Sequence, residues 1–278
     1  MSIVVNTNVS SILVQRSLGN ATSKINTSLE RLSTGYRINK AADDAAGLTI
    51  SEGLRSQIRG SEVAMENAQN GVNLLQTAEG DLGVIQDNLQ RIRDLSVQAA
   101  NGTYGSAERK AIEKEVGARI KEIDRLSKIS AFNQIKLLDG TNTTLTLQIG
   151  TGEVASINTL TIGGPLADAS SSGLGIQDYD SKFVSAASAQ SFIAIVDKAI
   201  AKVSARRSDI GALQSRLEST IQSLAIKSEN LSSSESRIRD VDIAKESAAL
   251  TKSQILQQAS ASLLAQANQT PSIALSLI

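Results

Sequence analysis

The sequence predicts a mainly α protein, a long antiparallel coiled-coil helical rod with a small β-hairpin segment mid-chain. Three observations predict it. In residues 64–99, small or apolar residues recur at Ala64, Ala68, Gly71, Leu75, Ala78, Leu82, Ile85, Leu89, Ile92, Ser96 and Ala99. Steps alternating four and three make a heptad seam, narrower than the stripe of a globular helix. A seam of equal length follows at Val196, Ile200, Val203, Arg207, Ile210, Gln214, Leu217, Ile221, Leu224, Ser228 and Leu231. Between the two, Leu145, Leu147 and Ile149 alternate with Thr and Gln, a period-two pattern bounded by glycine. Roughly 36 helical residues reach about 54 Å, so the chain is expected to fold back at the β segment and zip.

Composition agrees with a narrow helical core. Hydrophobic residues make up 41% of the 278, yet aromatics are only 2% and Trp and Cys are absent. Such a core lets helix backbones approach closely instead of filling a thick centre. Lys and Arg number 28, as do Asp and Glu, so no net field draws nucleic acid or an anionic membrane. Without Cys there are no disulfides and no thiolate metal sites. Without His the usual general base and commonest metal ligand are missing. The N-terminal residues lack a basic region before an apolar core, so no cleavable secretory signal is expected. No apolar run approaches the roughly 20 residues of a membrane span.

Taken in order, residues 1–35 predict an amphipathic helix with Leu18, Ala21, Ile25, Leu29 and Leu32 on one face. The rest of it is Asn, Ser and Thr, indifferent helix formers that need a packing partner. The periodicity breaks at 35–42. Asp43 and Asp44 then precede Ala45 and Ala46, and are read as capping the next helix. That helix runs to about Ala100, where Asn101-Gly102-Thr103-Tyr104-Gly105 stops it.

A helix over about 106–130 carries Ile112, Val116, Ile120, Ile123 and Leu126 on one face. One or two β-hairpins follow, with Val154, Ile157, Leu160 and Ile162 assigned to the second. Residues 163–182, rich in Gly, Ser and Asp, are expected to be a surface turn. Helix resumes near Ser185, loosens at the serine-rich 232–236, and gives way to a final helix over about 240–268. Val241, Ala248, Ile255, Ala259 and Ser262 lie at heptad spacing there, and Pro271 is expected to end it.

No phosphate loop, metal-ligand cluster or nucleophile–base pair is present in the sequence. No catalytic residue, metal or cofactor is assigned, and no enzymatic activity is expected. The basic pairs Arg91/Arg93 and Arg206/Arg207 are single turns on otherwise balanced helices.

The ends of the chain carry long signatures. One is Asn6-Thr7-Asn8, then 29–39 (LERLSTGYRIN), then Asp43-Asp44-Ala45-Ala46-Gly47-Leu48. The other is Arg237-Ile238-Arg239-Asp240-Val241-Asp242, then 254–259 (QILQQA), then 264–268 (LAQAN). With these the chain strongly resembles bacterial flagellin over about residues 1–165 and 183–278.

The resemblance implies a subunit that polymerises into the extracellular flagellar filament for motility. It implies an inner-tube domain (D0) from 1–42 plus 236–278 and a rod domain (D1) from 43–165 plus 183–235. The turn at 166–182 would stand where larger flagellins insert outer domains. Leu18, Ile25, Leu29, Leu32, Val241, Ile255, Ala259, Leu263 and Leu264 would serve polymerisation and chaperone binding. Gln90, Arg91, Leu95 and Glu115 would meet the vertebrate flagellin-sensing Toll-like receptor, with Ile92 in the core.

Implied partners are further copies of the chain, a flagellar export chaperone, and the filament cap and hook-junction proteins. Flagellar type III export of the unfolded chain would account for the missing signal. The alternative is a hook–filament junction protein, against which Asp43-Asp44-Ala45 speaks, since junction proteins more often have Asp-Asp-Pro. A coiled-coil adaptor is a second class, in which Arg207 and Gln214 would set register. The final segment from Pro271 departs from the commoner flagellin ending.

Overall fold

A computed structural model describes residues 7–275, with side chains to 269. Asn6 of the first signature, and the last three residues of the carboxyl-terminal segment, lie outside the described residues. The elements are α1 (Val9–Thr34), α2 (Ala45–Ala99), α3 (Ser106–Ile129), β1 (Ala131–Phe132), β2 (Ile135–Lys136) and β3 (Leu145–Gln148). After them come α4 (Ala155–Asn158), β4 (Thr159–Ile162), a 3₁₀ turn (Gly164–Leu166), α5 (Ser171–Leu174), α6 (Ala186–Arg239) and α7 (Ile243–Leu275). The fold is mainly α with two small antiparallel strand pairs, as the sequence predicts. No helix among the described residues is long and apolar enough to cross a membrane.

The chain divides into two compact units, one of residues 1–58 with 229–278 and one of residues 59–228. The division falls inside α2 and α6, away from the breaks that precede α2 and follow α6.

In the unit of 59–228, α2 is the centre. Every residue of its seam, Ala64 through Ala99, is buried. Helix α6 runs antiparallel to it, since Glu79 meets Gln214, Gln86 meets Arg207 and Arg93 meets Asp197. Glu79, Gln86 and Arg93 are spaced by sevens, the flanking positions of the seam. Helix α3 lies antiparallel on another side of α2, where Arg91 holds Glu115 and Arg119 donates to Asn88. Covered from both sides, α2 buries its seam completely. The α6 seam alternates between buried Val196, Val203, Ile210, Leu217 and Leu224 and half-buried Ile200, Arg207, Gln214 and Ile221.

The β3–β4 pair aligns Leu145 with Ile162 and Leu147 with Leu160. Leu160 and Ile162 are buried, while Thr146 and Thr161 face away. Val154 and Ile157 do not continue the strand. They flank and enter the single turn α4 and are exposed, because Asn158 folds back to accept from the Gly152 N–H and donate to the Val154 carbonyl. That local bonding competes with the ladder.

Residues 163–182 also differ from expectation. They bury Pro165, Leu166, Ala169, Leu174 and Ile176 and pack into the same core. The Ser171 backbone N–H donates to Asp124 on α3 at 2.7 Å. Arg206 on α6 donates to the Ala167 and Asp168 carbonyls at 3.1 and 3.0 Å. Burial of that guanidinium lowers its pKa, an effect that Asp168 opposes. Small residues here allow close approach: a Cβ on Gly173 would collide with the Asp168 carbonyl oxygen.

Strands β1 and β2 meet through a two-residue turn in which Asn133 and Gln134 both take positive φ, 46° and 68°. Such turns favour Asn-Gly because only glycine takes the second position without strain. Gln134→Gly is therefore expected to stabilise the protein by about 0.5–1 kcal/mol. Urea denaturation checks it, and an unchanged or lower midpoint contradicts it.

In the terminal unit, α1 is capped by Asn8, whose side-chain oxygen accepts from the Ser11 N–H, and it ends at Gly35 with φ 76°. Asp44 accepts from the Gly47 N–H at 2.8 Å and starts α2. Asp43 turns back to accept from the Lys40 and Asn39 amides, which lower its pKa. Here the chain's two breaks pair. The Val241 N–H donates to the Gly35 carbonyl at 3.0 Å, and Arg239 stacks over Tyr36 at 4.6 Å.

Helix α6 is unbroken through the serines at 232–236, because Ser234 bonds back to the Asn230 carbonyl within the helix. The break falls at 240–242 instead. Helix α7 likewise continues past Pro271 to Leu275. Proline's fixed φ is helical, and one lost backbone hydrogen bond near an end does not stop the helix.

Candidate functional site

The α1–α7 pair is antiparallel, and its contact row is unusual in chemistry. Serine, asparagine, glutamine and glutamate supply most of the bonds across it. Asn8 donates to the Ala267 carbonyl at 2.8 Å, and Ser11 donates to Asn268 at 2.9 Å. Gln257 donates to Thr22 at 3.0 Å, and Ser28 donates to Glu246 at 2.5 Å, which Arg31 also approaches. On α1 the inward row is Ser11, Val14, Leu18, Ala21, Ile25, Ser28 and Leu32, spaced three and four. On α7 it is Glu246, Leu250, Ser253, Gln257, Ser260, Leu264 and Ala267.

The α7 row sits in a different register from the one predicted through Val241, Ala248, Ile255, Ala259 and Ser262. Ala248, Ile255 and Ala259 of that row point outward, because polar side chains with specific partners hold the seam. Of the assembly candidates, Ile25 is buried, and Leu18, Leu32, Val241 and Leu264 are half-buried. Leu29, Ile255, Ala259 and Leu263 are exposed. Ile255 and Leu263 are 61% and 58% exposed, and Val9, Ile12, Leu13, Ile243 and Leu256 on the two helices are exposed as well. The terminal pair thus keeps much of its polar chemistry inside and many of its large aliphatic side chains outside, an arrangement that invites further chains to cover it.

On the other unit, Arg91 and Glu115 form a two-point ion pair across α2 and α3. Arg91 Nε and Nη2 both donate to Glu115 Oε1, at 3.1 and 2.9 Å. Both side chains are nearly half exposed, so the pair contributes little stability of its own. Gln90 is exposed beside it, and Ile92 is buried. Leu95 departs from expectation, being only 2% exposed. It lies off the α2 seam, but α3 covers this side of α2 and draws Leu95 into the core. It is a packing residue here and offers no free surface.

Asn88 and Arg119 extend the same junction one turn further, and sequence reasoning missed them. The pairing of Arg93 with Asp197 was also missed, although the spacing of Glu79, Gln86 and Arg93 carried the signal. Arg207 and Gln214 do set register, but within the chain, against Glu79 and Gln86. Among the described residues no group of three or more His, Cys, Asp or Glu is placed to hold a metal.

Comparison with known proteins adds two matched family models. One, the bacterial flagellin N-terminal helical region, matches residues 5–143, and the other, the bacterial flagellin C-terminal helical region, matches 193–278. The chain is 40% identical over 287 residues to the flagellar filament 33 kDa core protein of Treponema phagedenis, covering 99% of each. It is 41% identical over 277 residues to a flagellin of Halalkalibacterium halodurans, again covering 99% of each. A solved flagellar hook-associated protein of Vibrio parahaemolyticus aligns with a TM-score of 0.59 over 71% of this chain and 100% of that one, at 14% identity. That likeness is one of fold.

Proposed function

The chain belongs to the bacterial flagellin family, and from that premise we propose that its terminal helix pair is the surface through which it polymerises into an extracellular flagellar filament. The observation that carries this reading is the outward aliphatic face of α1 and α7 over a hydrogen-bonded polar seam. A monomer gains little from that face, whereas burying a Leu or Ile between subunits contributes roughly 1.5–3 kcal/mol. Residues 1–42 with 236–278 then serve the inner tube, and the rod domain surrounds it. Seeding purified monomer with short filament fragments, raising its concentration and imaging by negative stain tests this. Long uniform filaments are expected. Monomers or dimers that never elongate would move the assignment to a hook–filament junction protein or a coiled-coil adaptor.

The same exposed aliphatic face supports a need for a flagellar export chaperone before assembly. Type III export, with the filament cap and hook-junction proteins as further partners, follows the family reading. The half-exposed Arg91–Glu115 pair, with Gln90 alongside, is the face proposed for the vertebrate Toll-like receptor. Interface arginines often account for 2 kcal/mol or more, so Arg91→Ala is expected to lower signalling by free monomer by roughly tenfold or more. A reporter-cell assay at matched monomer concentration checks it, and unchanged signalling removes the assignment. Leu95→Ala does not test the same contact, because it acts first on packing.

A further inference from the structure

We propose that Asn101, in the turn joining α2 to α3, is a site of spontaneous deamidation, and that the fold directs the reaction there while sparing Asn70. Both asparagines precede glycine, at Asn101-Gly102 and Asn70-Gly71. The chemistry is intramolecular. The Gly102 backbone nitrogen, deprotonated by hydroxide, attacks Asn101 Cγ. An N–Cγ bond forms, the Cγ–Nδ2 bond breaks and ammonia leaves, giving a five-membered succinimide. Water then opens either imide C–N bond and yields aspartate or isoaspartate. No oxidant or reductant takes part.

The turn meets each requirement of the first step. Asn101 and Gly102 are both exposed. The side-chain carbonyl oxygen of Asn101 accepts from the Thr103 N–H at 3.2 Å. That bond draws electron density from Cγ and holds the carboxamide over the following peptide. Among the described residues the Gly102 N–H finds no backbone acceptor, whereas Asn101 and Tyr104 donate to Gln98 and Asn101. Nothing stands within 4 Å of where a Gly102 side chain would begin, so the approach is open.

Asn70 offers the opposite setting. It is exposed, but it lies in the middle of α2, and Gly71 is buried in the seam against Leu147 and Leu217. The Gly71 N–H belongs to the helical ladder, and helical dihedrals keep Cγ away from it. Reaction there requires opening the centre of the best-packed helix, so Asn70 is expected to convert at least roughly tenfold more slowly than Asn101.

Each product adds one negative charge to a chain whose 28 basic and 28 acidic side chains balance. Aspartate can keep the Thr103 contact. Isoaspartate lengthens the main chain between α2 and α3 and leaves a carboxylate at the carboxyl end of α2, where the helix dipole disfavours it.

The test is to hold the full folded chain in warm, mildly alkaline buffer and follow tryptic peptides 94–109 and 60–91 by mass spectrometry. Ion exchange follows the charge change in parallel. Conversion in 94–109 that rises with pH, with 60–91 intact, is the expected result. In denaturant the two peptides should convert at rates within roughly a factor of three, since both then behave as free Asn-Gly. Gly102→Ala, which the open space tolerates, should slow the folded protein's conversion. Equal rates at the two sites in the folded chain, or an unchanged 94–109 after 60–91 has converted in denaturant, would overturn the proposal.

Discussion

A chain carrying Ile255→Asp and Leu263→Asp is expected to fold normally and fail to extend filament seeds at up to about a hundred times the parent chain's critical concentration. Both side chains are more than half exposed in the monomer, so their replacement removes little from the folded unit. The local cost is helix propensity, roughly 0.5 kcal/mol at each position. In an assembled polymer the account differs. Two aliphatic side chains buried at a subunit contact contribute roughly 3–6 kcal/mol together. Two carboxylates at the same places must either be desolvated or hold the surfaces apart. Losing even the lower figure raises the critical concentration by more than a hundredfold. Seeded growth followed by light scattering measures that concentration, and circular dichroism melts show that the monomer is intact. Normal growth of the double variant would place the assembly surface elsewhere.

This prediction turns on a feature that the sequence concealed. Pattern reasoning places aliphatic residues inside, and it works on α2, where Leu75, Leu82, Ile85 and Leu89 step through the seam and all are buried. On α1 the rule places Leu18, Ala21, Ile25 and Leu32 correctly and misplaces Leu29, and on α7 it fails. Leu29 and Ile255 read as seam residues and point outward, while Ser28 and Ser253 are buried in their place. Ser28 can do so because Glu246 accepts its hydroxyl, and no periodicity announces a partner 218 residues away.

The same limit explains the other differences. Glycine and serine at 163–182 predict a surface turn by composition. Yet the small residues let this segment press against Asp124 on α3 and Arg206 on α6, and Leu166 and Leu174 fill the space beneath. A helical hairpin of α2 and α3 is expected from the sequence, but periodicity does not say which flank of α2 the second helix covers, and that decides the burial of Leu95. Arg91 and Glu115, which the resemblance names together on two helices, form an ion pair within the chain. Local periodicity gave the helices and the hairpins. The third neighbour of each helix stayed out of reach.

The largest expected loss of stability comes from Phe192→Ala. The chain has three phenylalanines and no tryptophan, and two of those phenylalanines face each other here. Phe192 and Phe183 are both almost fully buried, with ring centroids 5.6 Å apart and planes at 71°. Truncation to alanine in a core typically costs about 3–5 kcal/mol, to which the edge-to-face contact adds about 0.5–1.5 kcal/mol. The size of the loss depends on whether neighbours collapse into the space. Just over one turn further along α6, Asp197 is held to Arg93 on α2 at 2.6 Å, and about four turns along Arg207 is held to Gln86 at 2.8 Å. Those pairs fix the spacing of α2 and α6, so the cavity persists and the upper part of the range applies. At about 2–4 °C per kcal/mol for a unit of this size, the melting temperature should fall by roughly 10–26 °C. Calorimetry of the full chain measures it. A loss below about 1 kcal/mol would mean that the helices close over the gap and that those polar pairs leave their spacing free.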